Sequence, residues 1–395
     1  MFVGNLASPA VSSHPQQPAI ASHEPNILLV RLRLIGDVVL TTPLIAALRR
    51  RYPASQLTYV VEAAAAPVVR GNRNLTHIVV VPKTRGATRL RDDLTLARRL
   101  RRGRFDIAID LHGGPRAAWL TWSSGAPVRI GYRITGRSWM YTHVVARPRD
   151  EAPRPTVANQ WDLLLPVGVE QPDATRYPLE MDEEASAAAA MDRRLEDAGI
   201  GAHQIVVIHV SAGNPFRRWP AESFEALVVA LARRDPSRRI ILTSGPSDSP
   251  AASAIADRAR QALGSLAGAI PEVGEFDLPE LRALIARAAV YIGGDSGPLH
   301  IAGTTTTPIV ALFGPTLAER SMPWRDPRWV AEAVDAGPLE CRPCRQRECA
   351  PGDFRCLTRI TAEQVAAAAE RALMGSGVIF RGRTNAIESA GVIQK

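Results

Sequence analysis

The sequence predicts an α/β protein made of two doubly wound parallel sheets that face one another across a cleft. Three observations carry this expectation. Short runs rich in Val, Ile and Leu alternate with stretches of helical spacing. The alternation loosens at a proline-rich stretch near the middle and then restarts. Polar loops containing glycine sit where several apolar runs end. At 395 residues the chain is too long for one ordinary core, so two domains are expected.

Residues 1–25 are rich in Pro, Ser, Gln and His and read as a disordered extension. They lack the basic and apolar regions of a secretory signal, and no apolar run in the chain approaches the roughly 20 residues of a membrane span. The expected location is therefore the cytoplasm. "NILLVRL" is the first buried strand, "RLIGD" a loop, and "VVLTTPLIAALRRRYP" a helix ending near Pro53. "QLTYVVE", "HIVVVP" and "FDIAIDLHG" continue the strands. "APVVRGN" and "LRDDLTLARRLRRGR" are the helices between them. From Asp150 to about Pro178 prolines recur, marking the approach to a linker, with one short helix at "QWDLLLPVG".

The second half repeats the pattern. After the helix "EEASAAAAMDRRLEDAGI" come the strands "IVVIHV", "RIILTSG", "AVYIGG" and "PIVALFG". The helices are "AESFEALVVALARRD", "SPAASAIADRARQAL", "LPELRALIARA" and "GPLHIAGTT". A terminal helix, "ITAEQVAAAAERALM", is expected to be capped by Thr361. The domains are expected at 26–180 and 181–375, with a tail at 376–395.

Net charge is +9 and the pI about 10.0, nearly all of it from arginine. Nucleic acid, an anionic membrane surface and phosphorylated substrates are the partner classes that such a charge admits. Between Lys83 and Arg149 there are 15 basic residues against four acidic ones. That face suits a phosphate-decorated glycolipid or an anionic membrane, or is simply a solvated helix face.

The loop "YIGGDSGPLHIAG" puts Asp295, Ser296 and Gly297 at a strand-to-helix junction, with His300 on the first turn of the helix. Free N–H groups at a helix start favour an anion, and a diphosphate is the natural occupant. The alternative is a tight turn in which Asp295 or Ser296 caps the helix. In "HVSAGNPFRRWP", Ser211, Gly213 and Arg217 sit at another strand end, Arg217 offering planar donors to phosphate oxygens unless it is only a surface cation. In "LTSGPSDSP", Ser244 and Gly245 are placed to contact a nucleotide and Asp248 to accept from ribose hydroxyls, or the segment is an ordinary turn. The chain has neither the P-loop nor the G-x-G-x-x-G fingerprint. In the first half Asp37 follows Gly36 and either caps a helix or serves as a base on a substrate hydroxyl, with Thr41 and Thr42 lining the site.

Taken together, "RLIGDVVLTTPLIAALRRRYP", "FDIAIDLHG", "VVIHVSAGNPFRRWP", "IILTSGPSD" and "YIGGDSGPLHIAGTTTTPIVALFGPT" resemble the heptosyltransferase family, glycosyltransferase family nine, over about residues 26–372. The resemblance implies a GT-B fold of two facing Rossmann-like domains. It implies an inverting, metal-independent transfer from a nucleotide sugar, ADP-heptose in characterised relatives, to a lipopolysaccharide core acceptor. It puts Asp37 at the presumed catalytic base, Arg217 where the family often has a donor-contacting lysine, and Asp295, Ser296, Gly297 and His300 at the donor-binding element. No cofactor is implied for catalysis. Peripheral contact with the inner membrane would suit such an acceptor. The rival readings are another GT-B nucleotide-sugar enzyme, including an epimerase, and a basic nucleic-acid-binding protein.

Cys341, Cys344, Cys349 and Cys356 fall within sixteen consecutive residues, spaced C-x2-C-x4-C-x6-C. Four thiols so close suggest a structural metal, zinc first and an iron–sulfur site second, or else free or redox-active thiols.

Overall fold

The computed structural model of the chain describes residues 24–380, leaving out 83, 148–152, 201–203 and 345, and gives the backbone alone at 376–380. Apart from Glu24 and Pro25, the expected extension lies outside the described residues.

The opening run forms β1 (Ile27–Val30), buried at every position, as a strand covered on both faces must be. The first half then runs α1 (Ile35–Val39), α2 (Thr42–Arg51), β2 (Leu57–Glu62), α3 (Ala66–Val69), β3 (His77–Val81) and α4 (Gly86–Arg102). It continues with β4 (Ile107–Asp110), α5 (Pro115–Ser123), β5 (Val128–Tyr132), β6 (His143–Val145) and α6 (Thr156–Trp161). Among the described residues its strands form one parallel sheet in the order β3-β2-β1-β4-β5-β6.

The second half runs α7 (Ala185–Asp197), β7 (Ile205–His209), α8 (Ala221–Arg234), β8 (Arg239–Thr243), α9 (Ser249–Leu263), α10 (Leu278–Arg287) and β9 (Val290–Gly294). After these come α11 (Gly297–Ala302), β10 (Ile309–Phe313), α12 (Ala318–Ser321), β11 (Ala331–Asp335), α13 (Arg355–Thr358) and α14 (Ala362–Phe380). Its parallel sheet has the order β11-β10-β9-β7-β8. Each sheet thus reverses direction of growth once, beside β1 in the first and beside β7 in the second. In open α/β sheets such switch points leave a crevice beyond the carboxyl ends of the strands.

Three strands lie outside the expected set. β6 and β11 are sheet edges and β5 lies next to one; their mixed burial gives no continuous apolar run to read. The expected loop "RLIGD" is a loop only at Arg33 and Leu34, and its last three residues begin α1. The N-terminal neighbour of α1, Leu34, has φ 66°, a left-handed backbone that costs a bulky residue energy and turns the chain sharply out of β1. The terminal helix is capped as expected by Thr361, whose hydroxyl accepts from Gln364 N (3.2 Å), while the Gln364 side chain accepts from Thr361 N (2.9 Å). That helix continues to Phe380, into the segment expected to be a patternless tail; the remainder lies outside the described residues.

The halves are not independent cores. One apolar cluster joins Ile27 and Leu29 of β1, through Leu163, Leu164 and Leu179, to Tyr291 and Phe313 of the second sheet. The linker is stitched to both sides: Glu180 N donates to Thr42 Oγ1 (2.9 Å) and Leu179 N to the Trp324 carbonyl (3.0 Å). A close contact between the halves joins α1 and α11. A Cβ added to Gly36 would lie 2.8 Å from His300 Cδ2 and 3.2 Å from Gly297 Cα, so only a glycine fits there without displacement. These glycines serve close approach of the two halves rather than loop freedom.

Candidate active site

A cleft of about 950 Å³ opens where the two switch points face each other. From the first half it is lined by Arg31 and Asp37, which follow β1, and by Leu111 and His112, which follow β4. From the second half come Arg217, after β7, and Asp295 and His300, after β9.

Asp37 is ion-paired with Arg31, whose other guanidinium nitrogen Nη1 donates to the Leu111 carbonyl (2.6 Å). The Arg31 side chain is 9% exposed and the Asp37 side chain 29%. The cation is therefore fixed in the wall and the carboxylate is presented to the cleft. Across the gap Arg217 Nη1 lies 3.1 Å from Asp295 Oδ2, with the exposures reversed: 31% for the arginine and 5% for the acid. Here the carboxylate is in the wall and the guanidinium is presented. Arg217 Nε also donates to the side-chain oxygen of Gln346 (2.6 Å), which accepts from Asn214 Nδ2 as well (2.9 Å). Gln346 holds this position from a left-handed backbone, φ 55°, within the cysteine-rich loop.

His300 lies behind Asp295 (Nε2 to Oδ1, 3.9 Å), and burial lowers its pKa against the pull of Asp295 and Asp37. His112 is pushed down to about 4, first by burial and then by Arg31 and Arg33, so it faces the cleft as a neutral ring. Its loop is held by Asp110, which accepts from His112 N and Gly113 N (2.8 Å each) and from the Tyr141 hydroxyl (2.6 Å). Burial raises the Asp110 pKa despite those donors. Arg31, His112, Asn159, Gln160, His300 and Thr316 each keep a buried side-chain nitrogen or oxygen with no partner among the described residues. All six residues line the cleft, so its wall is framed by polar groups that the described residues leave unpaired. Among the described residues the lining holds five arginines (31, 33, 147, 217 and 320) against two acids (37 and 295), a surplus that favours an anion.

The structure thus brings Asp37, Arg217, Asp295 and His300 into one site. Ser296 and Gly297 sit beside them but do not line the cleft, because the start of α11 is packed against Gly36 and Ile35. Ser211 and Gly245 hold each other: the Ser211 hydroxyl accepts from Gly245 N (2.9 Å) and pairs with His209 Nε2 (3.1 Å). Gly213 is exposed on the loop before Arg217. Ser244 lines a separate hollow of about 310 Å³ beside α9 and residues 270–276. Asp248 is already ion-paired with Arg218 (3.0 Å). Thr41 and Thr42 are fully buried struts, not lining residues, since their hydroxyls bond Val38, Val39 and Tyr59 within the first half.

Arg31, His112 and Gln346 were not anticipated. Arg31 had a signal, a cation at the carboxyl end of a strand. His112 stood at the end of a recognised strand with only its residue type to mark it. Gln346 had no signal, because its position comes from an aperiodic loop.

The four cysteines line one cavity of about 160 Å³ with Phe216 and Phe354. Among the described residues, however, no group of three or more His, Cys, Asp or Glu stands in an arrangement that could hold a metal ion. The structure therefore gives the expected zinc site no support. Cys356 is buried in the apolar core of the second half, and its thiol is pushed up to about 11, chiefly by burial. It packs as a neutral thiol.

The family model "Glycosyltransferase family 9 (heptosyltransferase)" matches residues 94–354. A lipopolysaccharide heptosyltransferase 3 of Escherichia coli is 28% identical over 352 residues, covering 87% of this chain and 98% of that protein. A crystal structure of a family 9 glycosyl transferase from Veillonella parvula is 25% identical, with a TM-score of 0.75, over 89% of this chain and 97% of that one. The E. coli ADP-heptose lipopolysaccharide heptosyltransferase II superposes with a TM-score of 0.69 at 19% identity, over 88% and 98% of the two chains, a likeness of fold.

Proposed function

The chain belongs to glycosyltransferase family 9, the heptosyltransferase family, and from that premise we propose that it moves a heptose from ADP-heptose onto a lipopolysaccharide core acceptor with inversion at the anomeric carbon. It is a glycosyltransferase of the two-sheet GT-B type. The donor, the acceptor and the stereochemistry are the proposal: the likeness to a lipopolysaccharide heptosyltransferase supports the first two, and the mirrored pairs support the third. An acid presented from one wall and a cation presented from the other are what a single displacement needs.

In that reaction an acceptor hydroxyl loses its proton to Asp37 as its oxygen bonds the anomeric carbon. The bond from that carbon to the diphosphate breaks on the opposite face, and the electron pair leaves with the diphosphate. Arg217 meets the growing charge, pre-set by Asp295 and Gln346 so that little reorganisation is needed as the bond breaks. No metal step is required, because fixed guanidinium charge takes that part. The nucleoside lies towards the hollow that Ser244 lines, at the carboxyl end of β8. Arg33, Arg147 and Arg320 line the cleft together with His112 and suit an acceptor glycan that carries phosphate. Work on such a glycolipid belongs at the cytoplasmic face of the inner membrane.

The reading is tested by titrating the protein with ADP and competing nucleoside diphosphates, then assaying a panel of nucleotide sugars with core acceptors. Preferential ADP binding and turnover of ADP-heptose are expected. Turnover of another sugar nucleotide alone would overturn the donor assignment and leave the transferase reading intact.

A further inference from the structure

Among the described residues, large apolar side chains are notably exposed on one face of the first half: Leu90 (64%) and Leu94 (41%) on α4, Trp122 (43%) at the end of α5, and Trp139 (64%) on the turn before β6. The two indoles meet edge to face, with centroids 5.7 Å apart. Trp122 borders a shallow depression with Arg98, Arg101 and Arg129. On α4 residues 90, 94, 98 and 101 recur at i, i+4, i+8 and i+11, so two leucines and two arginines share one stripe that leads to the tryptophans.

The charge of this face is one-sided. Both acids of α4 are already occupied: Asp93 by Arg116 (2.6 Å), and Asp92 by the Thr84 hydroxyl (2.9 Å). Among the described residues Arg98, Arg99, Arg101 and Arg102 have no carboxylate partner. A solvated helix face would explain the arginines, but not two exposed indoles and two exposed leucines beside them.

We propose that this face, formed by α4, the end of α5 and Trp139, docks on an anionic phospholipid bilayer. Indoles partition to the boundary between headgroups and acyl chains, short aliphatic side chains enter just below it, and guanidinium groups engage lipid phosphates. One signal of either kind gives marginal binding; apolar anchors and basic charge together give stable attachment. A nucleic acid is the poorer fit. Its bases would need open ring faces, whereas the indoles are packed against each other. The surface lies outside the cleft, and its test does not depend on the identity of the sugar.

The test uses the full chain with vesicles of phosphatidylcholine alone and of phosphatidylcholine mixed with phosphatidylglycerol. Flotation with the mixed vesicles only, weakened by high salt, is expected, with a blue shift of tryptophan emission. The Arg98→Gln/Arg101→Gln double variant should bind roughly thirtyfold more weakly, since each basic residue near an anionic surface is worth about fivefold. Trp122→Phe/Trp139→Phe should lose the blue shift. Both should leave transfer to a detergent-free, delipidated acceptor unchanged, which shows that they fold. Equal flotation of all forms, equal binding to both vesicle types, or an unshifted emission would overturn the proposal. So would tighter binding to duplex DNA or RNA with the same variant sensitivity, or a concentration-dependent dimer lost in the tryptophan variant.

Discussion

The Asp37–Arg31 pair of the first half and the Asp295–Arg217 pair of the second use the same two side chains to opposite effect. Where the arginine is buried it anchors, and the acid is offered to the cleft; where the acid is buried it anchors, and the arginine is offered. An ion pair therefore does not reveal which member acts. Burial decides it, because the enclosed partner has lost its access to substrate and can only orient its neighbour. In the proposed reaction the same difference separates proton removal on one wall from charge stabilisation on the other.

The largest effect is expected at Asp37. Asp37→Ala should lower transfer by about a hundredfold to ten-thousandfold while ADP affinity, read by calorimetry, hardly changes. Unaltered turnover would break the comparison at its first member. Arg217→Ala should cost about a hundredfold or more in kcat, and Arg217→Lys should fall between that variant and the parent, because a lysine keeps the charge without the fork that Gln346 holds. Gln346→Ala sharpens the second member. It removes a hydrogen bond to a charged group worth about 1.5–3 kcal/mol, so it should weaken donor use on the order of tenfold and lower stability by no more than that amount. Steady-state kinetics against donor concentration reads both.

Smaller effects concern the frame that holds the pairs. Gly36→Ala should destabilise by about 1–3 kcal/mol in urea unfolding, since its Cβ meets backbone at 3.2 Å. Gly297→Ala should cost less, because its nearest neighbour would be the Ile35 side chain at 3.3 Å. His209 supplies a pH test. It is fully buried between Thr243 and Ser211, and burial holds its pKa down at about 4, against 6.5 for the free side chain. The unfolded chain takes up the proton first, so stability should decline as pH falls from about 6.5 towards 4, by up to about 3 kcal/mol. Denaturation midpoints that stay flat across that window would exclude a buried neutral His209.

Most of the fold was legible because its central strands are continuous apolar runs that nothing but a doubly covered sheet explains; "ILLV" and "IVALF" are buried at every position. The edge region escaped for the same reason in reverse, since "AEAVD" carries polar residues where one side is open. In the site, Asp37, Arg217 and Asp295 were visible as charged residues at strand ends. What could not be read was which charges were already spent. Asp248, expected to face a ribose, is held by Arg218 across two loops, a contact that only the folded chain defines.

The contact between Gly36 and Gly297 has a mechanical consequence. Backbone meets backbone there, with only the His300 and Ile35 side chains beside it, so a rotation of the halves that keeps this contact would turn about it as on a fulcrum. Asp37 and Asp295 lie close to that pivot and would travel little, while the far rims of the two halves would travel most. A chimera exchanging one half for that of a relative would need a glycine on each side of the seam to keep the same leverage.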